Sequence, residues 1–403
     1  MPALPPHARD NSDMRNRRTF LAVLAPAAFA ALVASPAQAQ GEVLKIGVIL
    51  PLTGTLASSG RQIEGAIKLW LAQHGNKVAG RTVQLIVRDD GTLPDTTRRL
   101  AQEMVVNDKV VALAGFGITP SALASAPIAT QSKTPMVVMA AATSAITEAS
   151  PYIVRTSFTL PQAAVGIAEW AAKNGIRKTV TLVADYGPGF DAEKYFAERM
   201  LLNGGQVVEK LRTPLRGPDF APALQKVRDI KPDALFVFLP AGQGAAFMKQ
   251  FAERGLDKSG IRLIATGDVT DDDQLADMGD VALGVVSSHH YSAAHTSAMN
   301  RKFVADYMAL NKFRPNFMAV GGWDGMRVLY KALEASKGAG GDALLAAMKG
   351  QLFESPRGQV LIDAQTRDVV HDMHIRRVER RDGQLWNIEF DAIKAMKDPG
   401  KLR

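Results

Sequence analysis

Cysteine is absent from all 403 residues, which excludes disulfides, a thiolate nucleophile, Cys-ligated zinc and a lipidated Cys anchor. Long Lys/Arg runs are also missing. The formal charge is +8, and removing the first 39 residues, with four Arg against Asp10 and Asp13, leaves +6 spread along the chain. A nucleic-acid stripe is therefore not expected. No G-x-S-x-G supplies a nucleophile elbow, and Gly60 is followed by Arg61-Gln62 where a Walker loop needs Lys-Ser/Thr. Beyond residue 39 no apolar stretch is long enough to span a bilayer.

What is present begins with a leader. Arg15-Asn16-Arg17-Arg18-Thr19-Phe20-Leu21 is basic, residues 21–35 are apolar and Ala-rich, and Ala37-Gln38-Ala39 is a small-x-small cleavage site. The expectation is a signal peptide over 1–39, with the mature protein starting near Gln40. Arg17-Arg18 resembles a twin-arginine signal, and Met14 is an alternative start. An uncleaved anchor is the weaker reading, because the apolar run is short and Pro26 breaks it.

The rest, 47% hydrophobic and 22% charged over the whole chain, alternates apolar runs with amphipathic ones. Residues 44–50, 83–87, 109–114 and 136–139 read as strands, separated by helical spacing at Ile63, Ile67, Trp70 and Leu71, at Leu100, Met104 and Val105, and in the segment opened by Ser121. A second series follows, with strands at 180–184, 206–210, 234–239 and 262–266 and helices between them. Later come residues 281–288, helices near 297–310 and 325–336, and strands at 358–362 and 373–378. Two successive α/β sets predict two parallel-sheet lobes of similar size.

Two hydroxyl-rich loops end buried strands of the first set: Gly115-Phe116-Gly117-Ile118-Thr119-Pro120-Ser121 and Ala141-Ala142-Thr143-Ser144-Ala145-Ile146-Thr147. At the carboxyl ends of an open α/β sheet, backbone amides, helix N-termini and hydroxyls hold an anion without a fixed cation. The two loops read as walls of one ligand site. Taken singly, each reads equally well as a strand-to-helix turn with Ser or Thr as N-cap.

Most of the chain after the leader resembles the branched-chain amino-acid-binding (Leu/Ile/Val-binding) family of ABC-transporter solute receptors, the type I periplasmic binding proteins. The resemblance rests on Lys45-Ile46-Gly47-Val48, Pro51-Leu52-Thr53-Gly54, Asp89-Asp90, residues 115–121, Ala141-Ala142-Thr143, Arg155-Thr156, Asp185-Tyr186-Gly187 and Phe251-Ala252-Glu253-Arg254-Gly255-Leu256, in that order. It implies two doubly wound lobes joined by a crossing-strand hinge, one from 42–158 plus 292–350 and the other from 159–291 plus 351–395. It implies further that Ser121 meets a ligand carboxylate, that Ala141, Ala142 and Thr143 give backbone and hydroxyl contacts, and that Tyr186 or Phe190 closes from the second lobe. Asp268 falls near the family's acidic position; a helix cap is the alternative, since Asp271, Asp272 and Asp273 follow it in what reads as a solvated acidic turn. For Tyr186 the alternative is plain packing.

The departures from the family pattern bear on the ligand. Amino-acid-binding members place a carboxylate shortly after the Arg-Thr pair, whereas Ser157-Phe158-Thr159-Leu160-Pro161-Gln162 holds no acid. A buried ammonium without a partner is costly, so an α-amino acid becomes less natural. Ser59 stands where the family has an aromatic, and Ala241 lies near a frequent second Tyr. The added room, flanked by Phe158, Tyr186 and Phe190, suits an aromatic or branched carboxylate.

Other constellations compete with this reading. Gly187-Pro188-Gly189-Phe190-Asp191-Ala192 fits G-x-G-x-x-A, with Glu209 near a ribose-binding position, and would suit an exported NAD(P)-dependent oxidoreductase. Against that, Pro188 removes an amide and Asp185 sets negative charge beside the supposed pyrophosphate. His289, His290 and His295 cluster in sequence, but neighbours on a strand point to opposite faces, and His371 and His374 have no convincing third ligand. Trp323-Asp324 reads as packing or hinge support. The expectation is a monomeric periplasmic solute receptor with no catalytic residues, metal or cofactor, delivering a small carboxylate to an inner-membrane ABC permease. A ligand-sensing module of the same fold is the remaining alternative.

Overall fold

The computed structural model describes residues 43–54 and 56–402, so the leader, its cleavage site and the twin-arginine pair lie outside the described residues. The first strand, Leu44–Leu50 (β1), has the sequence Leu-Lys-Ile-Gly-Val-Ile-Leu and is covered on both faces, as a central parallel strand must be. It anchors a six-stranded sheet with Lys77–Val78 (β2), Arg81–Asp89 (β3), Ala112–Gly115 (β4), Met136–Val138 (β5) and Ile153–Arg155 (β6), ordered β2-β3-β1-β4-β5-β6. All pairs are parallel except the short β2-β3 hairpin.

The second sheet takes Lys178–Ala184 (β7), Gln206–Thr213 (β8), Ala234–Phe238 (β9), Arg262–Thr266 (β10) and Val286–His289 (β11) in parallel, ordered β8-β7-β9-β10-β11. The chain then returns to the first sheet, where the helix Phe317–Ala335 packs along Ala57–His74 and Trp70 meets Trp323 edge-on at 4.8 Å. It ends in Leu352–Ser355 (β12), Gly358–Ile362 (β13), Val369–Arg381 (β14) and Gln384–Met396 (β15), an antiparallel extension of the second sheet beyond β11. In both sheets the chain leaves one strand to both sides, β1 to β3 and β4, and β7 to β8 and β9. At such switch points the loops part and open a crevice at the carboxyl ends.

The structure departs from the sequence expectation at several elements. The strand expected over 109–114 is Ala112–Gly115, because a π-turn over Met104–Asp108 feeds Lys109 at φ 56°, outside β space. The helix expected from 325 starts at Phe317, where the Asn316 side chain accepts from the Met318 and Ala319 amides at 2.9 and 3.4 Å; Gly321-Gly322 lowers the local propensity and hides that start. The short strands β2, β6 and β12 and the long last strand β15 have no counterpart in the sequence expectation. Among the described residues no helix is long and apolar enough to cross a membrane.

Behind the crevice the buried Arg357, in the turn between β12 and β13, ties that turn to the segment after β6. The Arg357 guanidinium pairs with Asp324 at 2.7 Å and donates to the Thr156 and Ser157 carbonyls at 2.6 and 2.7 Å. The Asp324 carboxyl is raised by burial and held down by Arg357, so each charge is tolerable only with the other in place. Trp323 thus sits in packing against Trp70, and Asp324 in a buried ion pair.

Candidate ligand-binding site

A narrow cavity of about 30 Å³ lies between the carboxyl ends of the two sheets. From the first sheet it is lined by Leu56, Ser59, Gly117, Ile118, Thr119 and residues 140–142, and from the second by Tyr186, Pro188, Phe238, Pro240, Ala241 and Asp268; Phe158, Leu160 and Met318 complete it. Five helices begin at or beside these residues: Ala57–His74, Thr119–Ser132, Leu160–Lys173, Gly187–Leu202 and Phe317–Ala335. Their positive ends converge on a space with no Lys or Arg in its lining among the described residues, which is the physical recipe for holding a carboxylate on dipoles.

The first-sheet wall is shaped by Arg155, which no solvent reaches. Its guanidinium pairs with Asp368 at 2.7 Å and donates to the carbonyls of Ala141 at 3.2 Å, Phe158 at 3.1 Å and Thr143 at 2.7 Å. The Ala142 carbonyl is taken by the Leu160 amide at 2.9 Å, whereas among the described residues the Ala142 N–H has no acceptor. The loop's carbonyls are therefore committed inward, and a donor remains at the cavity. Gly115 makes the preceding turn: its φ is +106°, and a Cβ there would stand 2.3 Å from the Ile49 carbonyl oxygen.

On the second-sheet wall Tyr186 stacks on Phe238 with centroids 6.1 Å apart, and burial, then the charge of Asp268, pushes its hydroxyl far above the ordinary range. Asp268 is 5% exposed. Its Oδ2 lies 3.7 Å from His289 Nε2, and among the described residues neither atom has a hydrogen-bond partner. Burial lowers His289 to about 4, the neighbouring Asp268 acting against it, so the imidazole is neutral near pH 7. A buried acceptor beside a neutral ring nitrogen is a ready partner for one ligand hydroxyl or ammonium.

Of the residues singled out in the sequence, Ser59, Ala141, Ala142, Tyr186, Ala241 and Asp268 line the cavity, as does Phe158. Ser121 does not. Its Oγ donates to Asp90 at 3.1 Å and accepts from Thr97 at 2.7 Å, so the hydroxyl serves the turn and Thr119 takes the lining position. Thr143 stands just behind, its Oγ1 2.8 Å from that of Thr119. Phe190 is 43% exposed and turned outward beneath the Arg212 guanidinium, 4.6 Å from its centroid. The reading of residues 271–273 as a solvated turn is corrected. Asp271 and Asp272 are 2% and 4% exposed; the Asn387 amide donates to Asp272 at 3.0 Å, and Asp271 is driven well above the usual carboxyl range by burial and its acidic neighbours. Sequence reasoning missed Phe238 as a wall residue and His289 as the buried neighbour behind Asp268; both sit at strand ends, where only the three-dimensional switch points reveal their place beside the crevice.

The Gly187-Pro188-Gly189 turn has a packing explanation. A Cβ on Gly189 would stand 1.9 Å from the Ala184 carbonyl oxygen, so the glycine lets the helix sit tight on β7. Glu209 pairs with Lys226 at 2.9 Å and takes no part in the cavity.

A model of a periplasmic binding protein family matches residues 43–384. The chain is 42% identical over 386 residues to a Leu/Ile/Val-binding protein homolog from Brucella abortus, covering 94% of this chain and 98% of that one. It is similar to the solute-binding protein of an ABC transporter from Rhodopseudomonas palustris BisB5, solved with 3,4-dihydroxybenzoic acid: 60% identity, TM-score 0.88, 89% of this chain and 99% of that chain. A second such protein, from Rhodopseudomonas palustris HaA2 with p-hydroxybenzoic acid, shares 42% identity at TM-score 0.87 over 90% of this chain and 100% of its own. With the α/β architecture and the crevice already in place, the chain belongs to the periplasmic binding protein family, among the Leu/Ile/Val-binding-type solute receptors of ABC transporters.

Proposed function

We propose that this protein works in the periplasm as the solute-binding component of an ABC importer, taking a hydroxylated aromatic carboxylate in preference to an α-amino acid. The observation that carries the reading is the polarity of the cavity: helix N-termini and the Ala142 amide at one wall, and Asp268 with an unpartnered oxygen at the other. The ligand carboxylate docks on the amide wall near Thr119, the ring lies between Phe158 and Tyr186, and a ring hydroxyl donates to Asp268. Ser121 contributes its backbone amide at the helix start rather than its hydroxyl. The ligands named for the two Rhodopseudomonas proteins support this choice.

Two lobes, 42–158 with 292–350 and 159–291 with 351–395, close over the solute about the crossing segments, and the closed form is what a membrane permease meets. A calorimetric panel tests the ligand class. The expected order is 4-hydroxybenzoate and 3,4-dihydroxybenzoate, then benzoate, then leucine, isoleucine and valine. Preferential binding of the amino acids, abolished by Asp268→Ala, returns the protein to the amino-acid branch, with Asp268 facing an ammonium.

A further inference from the structure

We propose that His295, His374 and Glu389 form a site for a divalent transition metal of the zinc class, separate from the solute cavity. One potential ligand atom from each lies within 4.8 Å of the others. His295 Nδ1 is 2.7 Å from Glu389 Oε2, and His374 Nδ1 is 3.6 Å from the same oxygen. The imidazole centroids are 5.3 Å apart. Sequence spacing hid the third ligand, because Glu389 arises in the unanticipated β15.

The strands set this geometry. An irregularity between Ile375 and Arg376 gives the β14-β15 ladder an extra residue on β15, with His374 opposite Ala392 and Arg376 opposite Glu389. Glu389 is thereby brought to the face that carries His374 and Arg376. His295 is fixed from the other side, its amide donating to Ser292 at 3.0 Å and its carbonyl accepting from Asn300 at 2.9 Å.

Two observations point to a cation rather than to a finished hydrogen-bond cluster. The His374 side chain is 7% exposed and Glu389 16%, and among the described residues Glu389 Oε1 is buried without a hydrogen-bond partner. The nearby Arg376 does not supply it: its guanidinium is engaged with Ser287, Gly267 and Tyr291. A metal beside Glu389 would give the orphaned side of the carboxylate a positive partner. Two imidazoles and one carboxylate are a donor set of zinc and its first-row neighbours, not of magnesium or calcium, which take oxygen. The 2.7 Å contact would widen by a few tenths of an ångström to admit an ion at roughly 2 Å from each donor. His295 also lines an open groove with Thr296, Trp386 and Ile388, which provides an entry path and room for a water ligand. None of these residues lines the solute cavity.

The full-length exported protein, purified without a histidine tag and dialysed against chelator, is titrated with zinc chloride and, separately, cobalt chloride and magnesium chloride. One equivalent of zinc is expected, with a higher melting temperature and visible absorption bands on adding cobalt. His295→Gln and Glu389→Gln should each weaken zinc more than about tenfold, with the circular dichroism spectrum unchanged. If Glu389→Gln does not fold, His295→Gln on its half-buried turn carries the test. Absence of stoichiometric zinc, wild-type affinity in His295→Gln, or magnesium binding as tight as zinc overturns the proposal.

Discussion

Replacing Asp268 with Ala isolates the part of recognition that a shared fold does not determine. In the structure this carboxyl is 5% exposed and its Oδ2 has no hydrogen-bond partner, so it offers an acceptor already stripped of water. A hydrogen bond to a charged acceptor contributes about 1.5–3 kcal/mol. Losing it should weaken 4-hydroxybenzoate about 10- to 150-fold at ~1.4 kcal/mol per decade. Benzoate carries no donor for this position and should bind the variant as tightly as the wild type or more tightly, since one negative charge near the ring is gone. Titration calorimetry of both ligands against both proteins gives four dissociation constants and one coupling. Equal losses for the two ligands would mean that Asp268 supports the wall without reading the hydroxyl, and the placement of the ligand would be refuted.

Ser121→Ala should act on folding rather than on affinity, because its hydroxyl bridges Asp90 and Thr97: a loss of about 1–2 kcal/mol in denaturant unfolding, with the solute dissociation constant changed less than threefold. Acid should cost stability through the buried imidazoles. His289 is lowered to about 4 by burial, and burial also lowers His290 and His371, so below their ordinary value of about 6.5 the unfolded chain binds protons that the folded chain refuses. Stability therefore falls as pH drops, and His289 alone contributes roughly 2 kcal/mol between pH 6.5 and 5. Asp191 and Asp271, raised by burial, act with the opposite sign. The clean measurement is the wild type against His289→Phe, whose unfolding free energy should lose about one proton's worth of pH slope; parallel curves would contradict the assignment.

The central parallel strands β1, β5, β7, β9 and β10 were legible because doubly covered strands are continuous apolar runs, and the two loops were legible because small and hydroxyl-bearing residues follow those runs. Roles set by distant partners were not. Ser121 looks like a ligand donor until Asp90, in the loop after β3, captures it. Phe190 lies four residues after Tyr186, and only Arg212 on the neighbouring β8 draws it outward. Residues 271–273 read as solvated, yet Arg376 lies 3.9 Å from Asp272 and Asn387 bonds to it, both more than 100 residues away. Glu389 was invisible for a different reason: in Gln384–Met396 charged residues interrupt the apolar ones, and the run shows as a strand only when β14 lies beside it.

Several polar contacts join the rims of the crevice outside the cavity, beside the buried bond from Asn316 to Asp271 at 2.8 Å. The Asp191 carboxylate accepts from the Ser144 amide at 2.9 Å, Ser58 donates to Asp273 at 2.9 Å, and Arg216 reaches the Thr92 carbonyl at 3.4 Å. None requires a solute. Under hinge closure such rim bonds set how often the empty protein resembles the loaded one, and the apparent affinity scales with that fraction. Affinity can therefore be tuned at the rim with no change in what the cavity recognises. The same tuning has a ceiling, because an empty receptor that stays shut would present itself to a transporter with nothing to deliver. Under the proposed closure, single, partly solvated contacts, each contributing little, would keep the protein on the useful side of that limit.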